Sequence, residues 1–400
     1  MRRKIKIAGY YDTRYTPSIG LFSRLVESRP GIGGALSVRK NGRIVVDTWG
    51  GTRSTSAGDY WTRDTAPVIY SATKGITNVV LHRVLAEHDI GYHVPVADVW
   101  PEFGKNGKST ITISDVLSHS SGLSQLPQDV RSAAQLLDVQ AMEMIIADSP
   151  PDKYLGVPAY HMLTYGWILS GILRAVTGAT MRDLYRTHLN IPLGLDTVSL
   201  GRPPSDSPMV LSSIAPWGRI TQGRAALPTH TRKLRAIRDT GIPRKPTAFR
   251  RAFDAGDGTM DFFAHPEKHI LDTEMPSANG VATADAISQI YTPLANHGID
   301  AHGHRYLDEH LASLLVSERR YQIDRVLKFP MSWNMGFHRG PARGIADGFG
   351  SVGLNGSFGW ADPRTGISIG LVHNRGVSTI VNEVATFMWL VTAIRRDSLR

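Results

Sequence analysis

Val68-Ile69-Tyr70-Ser71-Ala72-Thr73-Lys74-Gly75-Ile76 is the stretch around which this chain is organised. Upstream, Trp61-Thr62-Arg63-Asp64-Thr65-Ala66-Pro67 has the composition of a loop. Downstream, Ile76, Val79, Val80, Val84 and Leu85 recur at helical spacing, which predicts a largely buried helix starting near Ser71. Ser71 and Lys74 are three apart and share one face of that helix. Desolvation lowers a lysine's pKa, and the resulting neutral amine can take a serine's proton. The helix entrance adds free N–H groups and a positive dipole end where an oxyanion would form. The plainer alternative has Ser71 capping the helix and Lys74 in solvent.

Strand signals lie on either side of this helix, near the two ends of the chain. Gly34–Arg39 and Arg43–Trp49 flank Lys40-Asn41-Gly42, which predicts a β-hairpin with an Asn-Gly turn. Near the other end, Ser357–Ala361 and Ile367–Val372 flank Asp362-Pro363-Arg364-Thr365-Gly366, a second hairpin with turn residues in place. Ser332–His338 alternates weakly. Helices are expected over Pro17–Val26, Thr164–Thr177 (stopped by Gly178), Thr180–Leu189, Thr283 to about 296, and Val377–Arg396. Thr112-Ile113-Ser114-Asp115 resembles a capping box. Between the Ser71 helix and about residue 320 helices dominate, with no further paired strands expected. The expected fold class is therefore α/β of the α+β type, an antiparallel sheet built from both termini with a helical domain inserted. Residues 1–70 plus 325–400 would form the sheet-containing part, and 71–324 the helical part with an irregular excursion at 201–270.

Composition narrows the chemistry. The 400 residues include no cysteine, which excludes disulfides, a thiolate nucleophile and a thiolate metal site. A hydrophobic content of 42% can bury a large core. The basic opening Met1-Arg2-Arg3-Lys4-Ile5-Lys6-Ile7 has too few apolar residues for a signal peptide, and no stretch approaches the ~18 apolar residues of a membrane span. A cytoplasmic protein is the expectation. Charge is concentrated: residues 219–251 hold ten Lys or Arg against the single acid Asp239, so +9 of the chain's +10 falls there. Pro228, Pro243 and Pro246 rule out a long helix through it. That segment reads as a surface excursion or as a patch for peripheral association with an anionic membrane. No aromatic interleaving accompanies the charges, so nucleic acid is not an expected partner. His265/His269 and His297/His302/His304 lie in apparent surface loops without carboxylate partners, and no metal or other cofactor is expected.

Three further runs join the Ser-x-x-Lys pair: Leu117-Ser118-His119-Ser120-Ser121-Gly122-Leu123, Pro158-Ala159-Tyr160-His161-Met162, and Phe349-Gly350-Ser351-Val352-Gly353-Leu354-Asn355-Gly356. With them the chain resembles the serine β-lactamase and penicillin-binding-protein superfamily over about residues 20–395. It most resembles the superfamily's esterase branch, the family VIII carboxylesterases and actinobacterial lipase/esterases. Trp49-Gly50-Gly51, Pro192-Leu193-Gly194 and Pro276-Ser277-Ala278-Asn279-Gly280 also fit that branch. The resemblance implies Ser71 as nucleophile, Lys74 as its activating lysine and Tyr160 as a proton-transfer phenol that a nearby lysine would help to ionise. It implies the N–H groups of Ser71 and Leu354 as the oxyanion hole, and Met162, Asn279, Ser351 and Gly353 around the substrate.

Two departures bear on the substrate. Met162 stands where related β-lactamases carry an asparagine for the lactam side-chain amide. Ser351 stands where they carry a lysine, so a penicillin carboxylate would lose its cation. The expected activity is hydrolysis of a small-molecule carboxylic ester through an acyl-enzyme. The alternatives are a D-peptidase or weak β-lactamase, an acyltransferase to an alcohol, and a scaffold on an inactive hydrolase fold. His119 with Asp115 suggests a Ser-His-Asp arrangement, but a structural histidine is preferred, since Lys74 and Tyr160 already supply the base.

Overall fold

Asn41 (φ 49°) and Gly42 (φ 79°) are both left-handed, the conformation a type I′ hairpin turn requires. They join β2 (Gly33–Lys40) to β3 (Arg43–Gly51), and β1 (Ala8–Tyr11) adds to the outer edge of β3. The C-terminal part supplies β4 (Trp333–Asn334), β5 (Phe337–Arg339), β6 (Phe349–Val352), β7 (Phe358–Asp362) and β8 (Ile367–His373). β8 pairs with β2 over its own full length, from Ile367 opposite Lys40 to His373 opposite Gly34. One antiparallel sheet of order β1-β3-β2-β8-β7-β6-β5-β4 results, built from both ends of the chain. These relations come from a computed structural model that describes residues 7–27, 30–56, 58–215, 248–255, 259–317, 320–341, 344–376 and 380–400.

Helices cover both faces of the sheet. On one, α1 (Thr16–Val26) and the C-terminal α5 (Ile380–Ser398) pack Phe22, Leu25, Phe387, Val391 and Ile394 against Leu36, Val38, Phe358 and Trp360. On the other lie α2 (Ala72–Glu87) and α4 (Ala284–Ile290), the latter capped by Thr283. Beyond α2, α3 (Thr164–Thr177) ends at Gly178 with φ 71°, where a side chain would be strained. Thr112 and Asp115 form the expected capping box on helix Ile113–Leu117.

Four expectations need correction. Ser332–His338 is a tight hairpin rather than one strand, reversed at Met335 (φ 50°) and Gly336 (φ 82°). The helix from Thr283 is interrupted after Ile290, since Pro293 cannot donate to the ladder. The helical middle does hold paired strands: Val198–Leu200 with Gly280–Ala282, and Thr65–Ala66 with Val210–Leu211. The excursion at 201–270 is not wholly superficial, because its far end folds into short helices that bury Ala252, Phe253 and Phe263. Residues 216–247 lie outside the described residues. So, Arg250 and Arg251 apart, does the basic patch expected to meet an anionic membrane.

Gly75 fixes how closely α2 approaches the sheet. A Cβ there would fall 1.8 Å from Tyr291 Oη, and one at Gly359 on β7 would fall 2.1 Å from the Tyr291 ring. Tyr291 is thus wedged between the serine-bearing helix and the sheet, where only glycines leave room. Gly75→Ala is expected to cost about 1–3 kcal/mol through overpacking. Tyr291→Phe, which removes the clashing oxygen, should recover part of it. Urea denaturation of the single and double variants checks this, and an unaffected Gly75→Ala midpoint would contradict it.

Candidate active site

A strained turn presents Ser71. Tyr70 has φ 48°, a left-handed conformation costing a non-glycine residue about 1–2 kcal/mol. Its hydroxyl donates to Phe263 O at 2.7 Å, and Ile69 N–H donates to Gly280 O at 2.9 Å, so contacts on both sides hold the turn. Ser71 then enters α2 with no side-chain capping bond. The capping alternative therefore fails, and the Ser71 hydroxyl is left for other partners.

Lys74 is buried, with 2% of its surface exposed. Its Nζ donates to Met162 O (2.7 Å) and Ser277 O (3.0 Å), and stands 3.2 Å from Ser71 Oγ. Burial holds its pKa well below the usual lysine value. With both N–H groups of a neutral amine donated to these carbonyls, its lone pair is what is left for the Ser71 hydroxyl. Ser277 is itself tied in, accepting from Gly166 N–H (2.6 Å) and donating to Leu163 O (2.9 Å).

The Tyr160 phenol lies near enough to the Ser71 side chain for the two to interact electrostatically, and its ring centroid lies 5.1 Å from Lys74 Nζ. Trp333 stacks on the ring at 5.2 Å with 3° between planes. Burial raises the Tyr160 pKa above the ordinary phenol value, and the nearby Ser71 side chain opposes this only in part. The same burial disfavours a charge on Lys74, which runs against the expectation that a neighbouring lysine would help to ionise Tyr160.

On the far side of Ser71, β6 leads into a turn in which Gly353 N–H donates to Ser357 O (2.7 Å) and Gly356 N–H to Gly353 O (2.9 Å). A Cβ at Gly353 would meet Ile69 O at 2.3 Å, so glycine lets this turn press against the backbone just before Ser71. Asn355 pins the turn through His373 O and Ser357 N–H, leaving Leu354 on the cleft wall. Ser351 is placed differently from expectation. Its Oγ donates to Ser71 O at 2.8 Å, fastening β6 to the helix entrance, and it does not line the cleft. Asn279 does not face the cleft either. It is fully buried, accepting from Met275 N–H and donating to Ile270 O and Thr273 O, so its amide ties a loop together. Met162 and Gly353 do line the cleft.

The cleft over Ser71 encloses about 1090 Å³, open mouth included. Its walls are mostly apolar: Phe249, Phe253 and Phe263 from the end of the excursion, Leu327 and Phe329 from the stretch before β4, and Phe387 and Met388 from α5. The charged side chains on the described wall are Arg339 and Glu383. Arg339 donates to Leu315 O and Ser317 O, and Glu383 pairs with Arg375.

His119 is not part of a Ser-His-Asp triad. Asp115 uses its carboxylate on Thr112, while His119 Nδ1 accepts the His161 N–H at 3.2 Å. His265 and His269, expected to lack carboxylate partners, both approach Asp261, at 3.8 and 3.1 Å. Among the described residues no three His, Asp or Glu side chains gather as a metal site. No helix of the described residues is long and apolar enough to cross a membrane.

This geometry agrees with what the chain resembles among known proteins. "Esterase/beta-lactamase LipL" of Mycobacterium tuberculosis (strain ATCC 25618 / H37Rv) is 40% identical over 395 residues, 98% of this chain and 88% of LipL. A penicillin-binding-protein homologue from Caulobacter crescentus superposes with a TM-score of 0.78 at 26% identity, covering 98% of this chain and 100% of that one. A family VIII carboxylesterase superposes with a TM-score of 0.76 at 25% identity, covering 96% and 100%. The sequence pattern of the family described as Beta-lactamase matches residues 20–393, and the chain belongs to that family.

Proposed function

We propose that the chain is a serine carboxylesterase that forms an acyl-enzyme on Ser71. The observation that carries this is the buried Lys74 amine 3.2 Å from Ser71 Oγ at the floor of an apolar cleft. Lys74 is the general base. It takes the Ser71 proton as Oγ attacks the ester carbonyl, and burial, by lowering its pKa, favours the neutral amine that can do so. The tetrahedral oxyanion lies between the Ser71 and Leu354 N–H groups, each such donor contributing about 3 kcal/mol in other hydrolases. Tyr160, kept as a neutral phenol, gives its proton to the departing alkoxide and recovers one from the Lys74 ammonium. Water then attacks the acyl carbon as Lys74 takes its proton, and Lys74 returns that proton to Ser71 Oγ as the acyl–oxygen bond breaks, which frees the acid and restores the Ser71 hydroxyl. An alcohol in place of water gives acyl transfer on the same residues.

A neutral substrate suits the cleft because Arg339 and Glu383 are already engaged, and no lysine stands at position 351. The relatives' names motivate a second reading, β-lactam or D-peptide hydrolysis. Met162 and Ser351 oppose it by removing the amide and carboxylate partners. A missing charge-assisted partner is worth about 1.5–3 kcal/mol, so kcat/KM for nitrophenyl acetate or butyrate should exceed that for nitrocefin by about 10–10²-fold. Steady-state kinetics on both substrates decides: a larger kcat/KM for nitrocefin than for every ester in a chain-length series reverses the assignment.

A further inference from the structure

We propose that His119 is a positioning residue for Tyr160, acting as one half of a clamp whose other half is Asp324. The inference rests on the reading of Tyr160 as a proton-transfer group. It starts from three successive backbone N–H groups. Ala159 N–H donates to His119 O at 2.9 Å, and His161 N–H donates to His119 Nδ1 at 3.2 Å. Between them, the Tyr160 backbone N–H lies near enough to the Asp324 carboxylate to oppose the rise that burial gives its pKa. The backbone that carries the phenol is therefore held on both sides of residue 160 by His119, with the Asp324 carboxylate beside it.

The same two residues hold the ring. Asp324 Oδ2 accepts from Trp333 Nε1 at 3.1 Å, which fixes the indole stacked on Tyr160. His119 meets the Tyr160 ring edge-on at 5.0 Å and the Trp333 ring at 4.3 Å. Asp324 is anchored in turn by the Val326 and Leu327 N–H groups at 2.9 and 2.8 Å.

Two features of His119 are costly for a residue that merely fills space. Its φ is 57°, a left-handed conformation at a non-glycine position. With Nδ1 accepting, the neutral ring carries its hydrogen on Nε2, and that atom is buried without a hydrogen-bond partner among the described residues, in an imidazole packed against the rings of Tyr160, Tyr165 and Trp333. An unsatisfied buried donor destabilises a fold. An apolar side chain of similar size would avoid that loss, but it would not accept the His161 N–H. The imidazole's Nδ1 is what the site retains.

The test is a double-mutant cycle on kcat for a soluble nitrophenyl ester. Asparagine places an acceptor where Nδ1 stands and tolerates the left-handed backbone, whereas glutamine places its polar end near Nε2. His119→Asn should therefore stay within about 5-fold of wild type, and His119→Gln should lose about 10–10²-fold in kcat with KM little changed. Tyr160→Phe should cost about 10²-fold or more in the wild-type background but under 10-fold when added to His119→Gln, because a misaimed phenol has little left to lose. An equal cost of Tyr160→Phe in both backgrounds, or equal damage from Asn and Gln, overturns the clamp alone. A silent Tyr160→Phe in the wild-type background overturns the reading of Tyr160 and the clamp with it.

Discussion

Ser71→Ala is expected to lower kcat for short nitrophenyl esters by about 10⁴-fold or more while leaving the fold intact, since removing the nucleophile of a serine hydrolase leaves only binding and oxyanion stabilisation. The structure explains why the fold should survive. Ser71 makes no capping bond, and Lys74 keeps two carbonyl partners, Met162 O and Ser277 O, when the hydroxyl is gone. Alanine is also at home in the first turn of a helix. Steady-state kinetics beside chemical denaturation measures both quantities. A variant that unfolds at the wild-type denaturant midpoint yet keeps turning over ester at more than a few per cent of the wild-type rate contradicts the assignment of Ser71.

Lys74→Met carries the second large effect, about 10²–10⁴-fold in kcat, the usual range for a general base. Its pH signature separates it from a packing defect. Burial puts the native Lys74 pKa well below that of the unfolded chain, so between those two values the unfolded state binds a proton that the native state does not. Stability attributable to Lys74 therefore rises with pH across that window, and wild type should gain on Lys74→Met as pH increases toward about 10. The acid limb of kcat/KM should likewise fall well below the ordinary lysine range. An acid limb near pH 10, or parallel stability curves for the two proteins, would place a charged lysine at the site and remove it as the base.

Much of this candidate site is legible in the sequence, for identifiable reasons. Ser71 and Lys74 announce themselves because hydroxyl and amine chemistry resides in side chains and helical spacing sets their geometry. The two hairpins follow from turn residues with few alternatives, and their pairing into one sheet follows from strands at both ends of the chain. Backbone work was not legible. Ser277 serves Lys74 through a carbonyl that any residue would possess, while Asn279, two positions on, looked like a ligand but spends its amide on loop carbonyls. Ser351 occupies a substrate-binding position by resemblance, yet its hydroxyl fastens a strand to the Ser71 carbonyl. The Phe249, Phe253 and Phe263 wall was hidden by the charges preceding it, which made the stretch read as solvated surface. His119 was rightly set apart from a catalytic triad, but its hold on residues 159–161 spans about 40 positions that local pattern does not connect.

The central claim is that Ser71, activated by an uncharged Lys74, carries the acyl group. It is tested most directly by labelling the protein with a fluorophosphonate probe, digesting it and locating the adduct by mass spectrometry. The account predicts one adduct, on the peptide containing Ser71, with loss of ester hydrolysis in proportion to labelling. It also predicts a labelling rate at neutral pH that collapses in Lys74→Met. An adduct on another residue, or ester hydrolysis that continues once Ser71 is fully labelled, would contradict it.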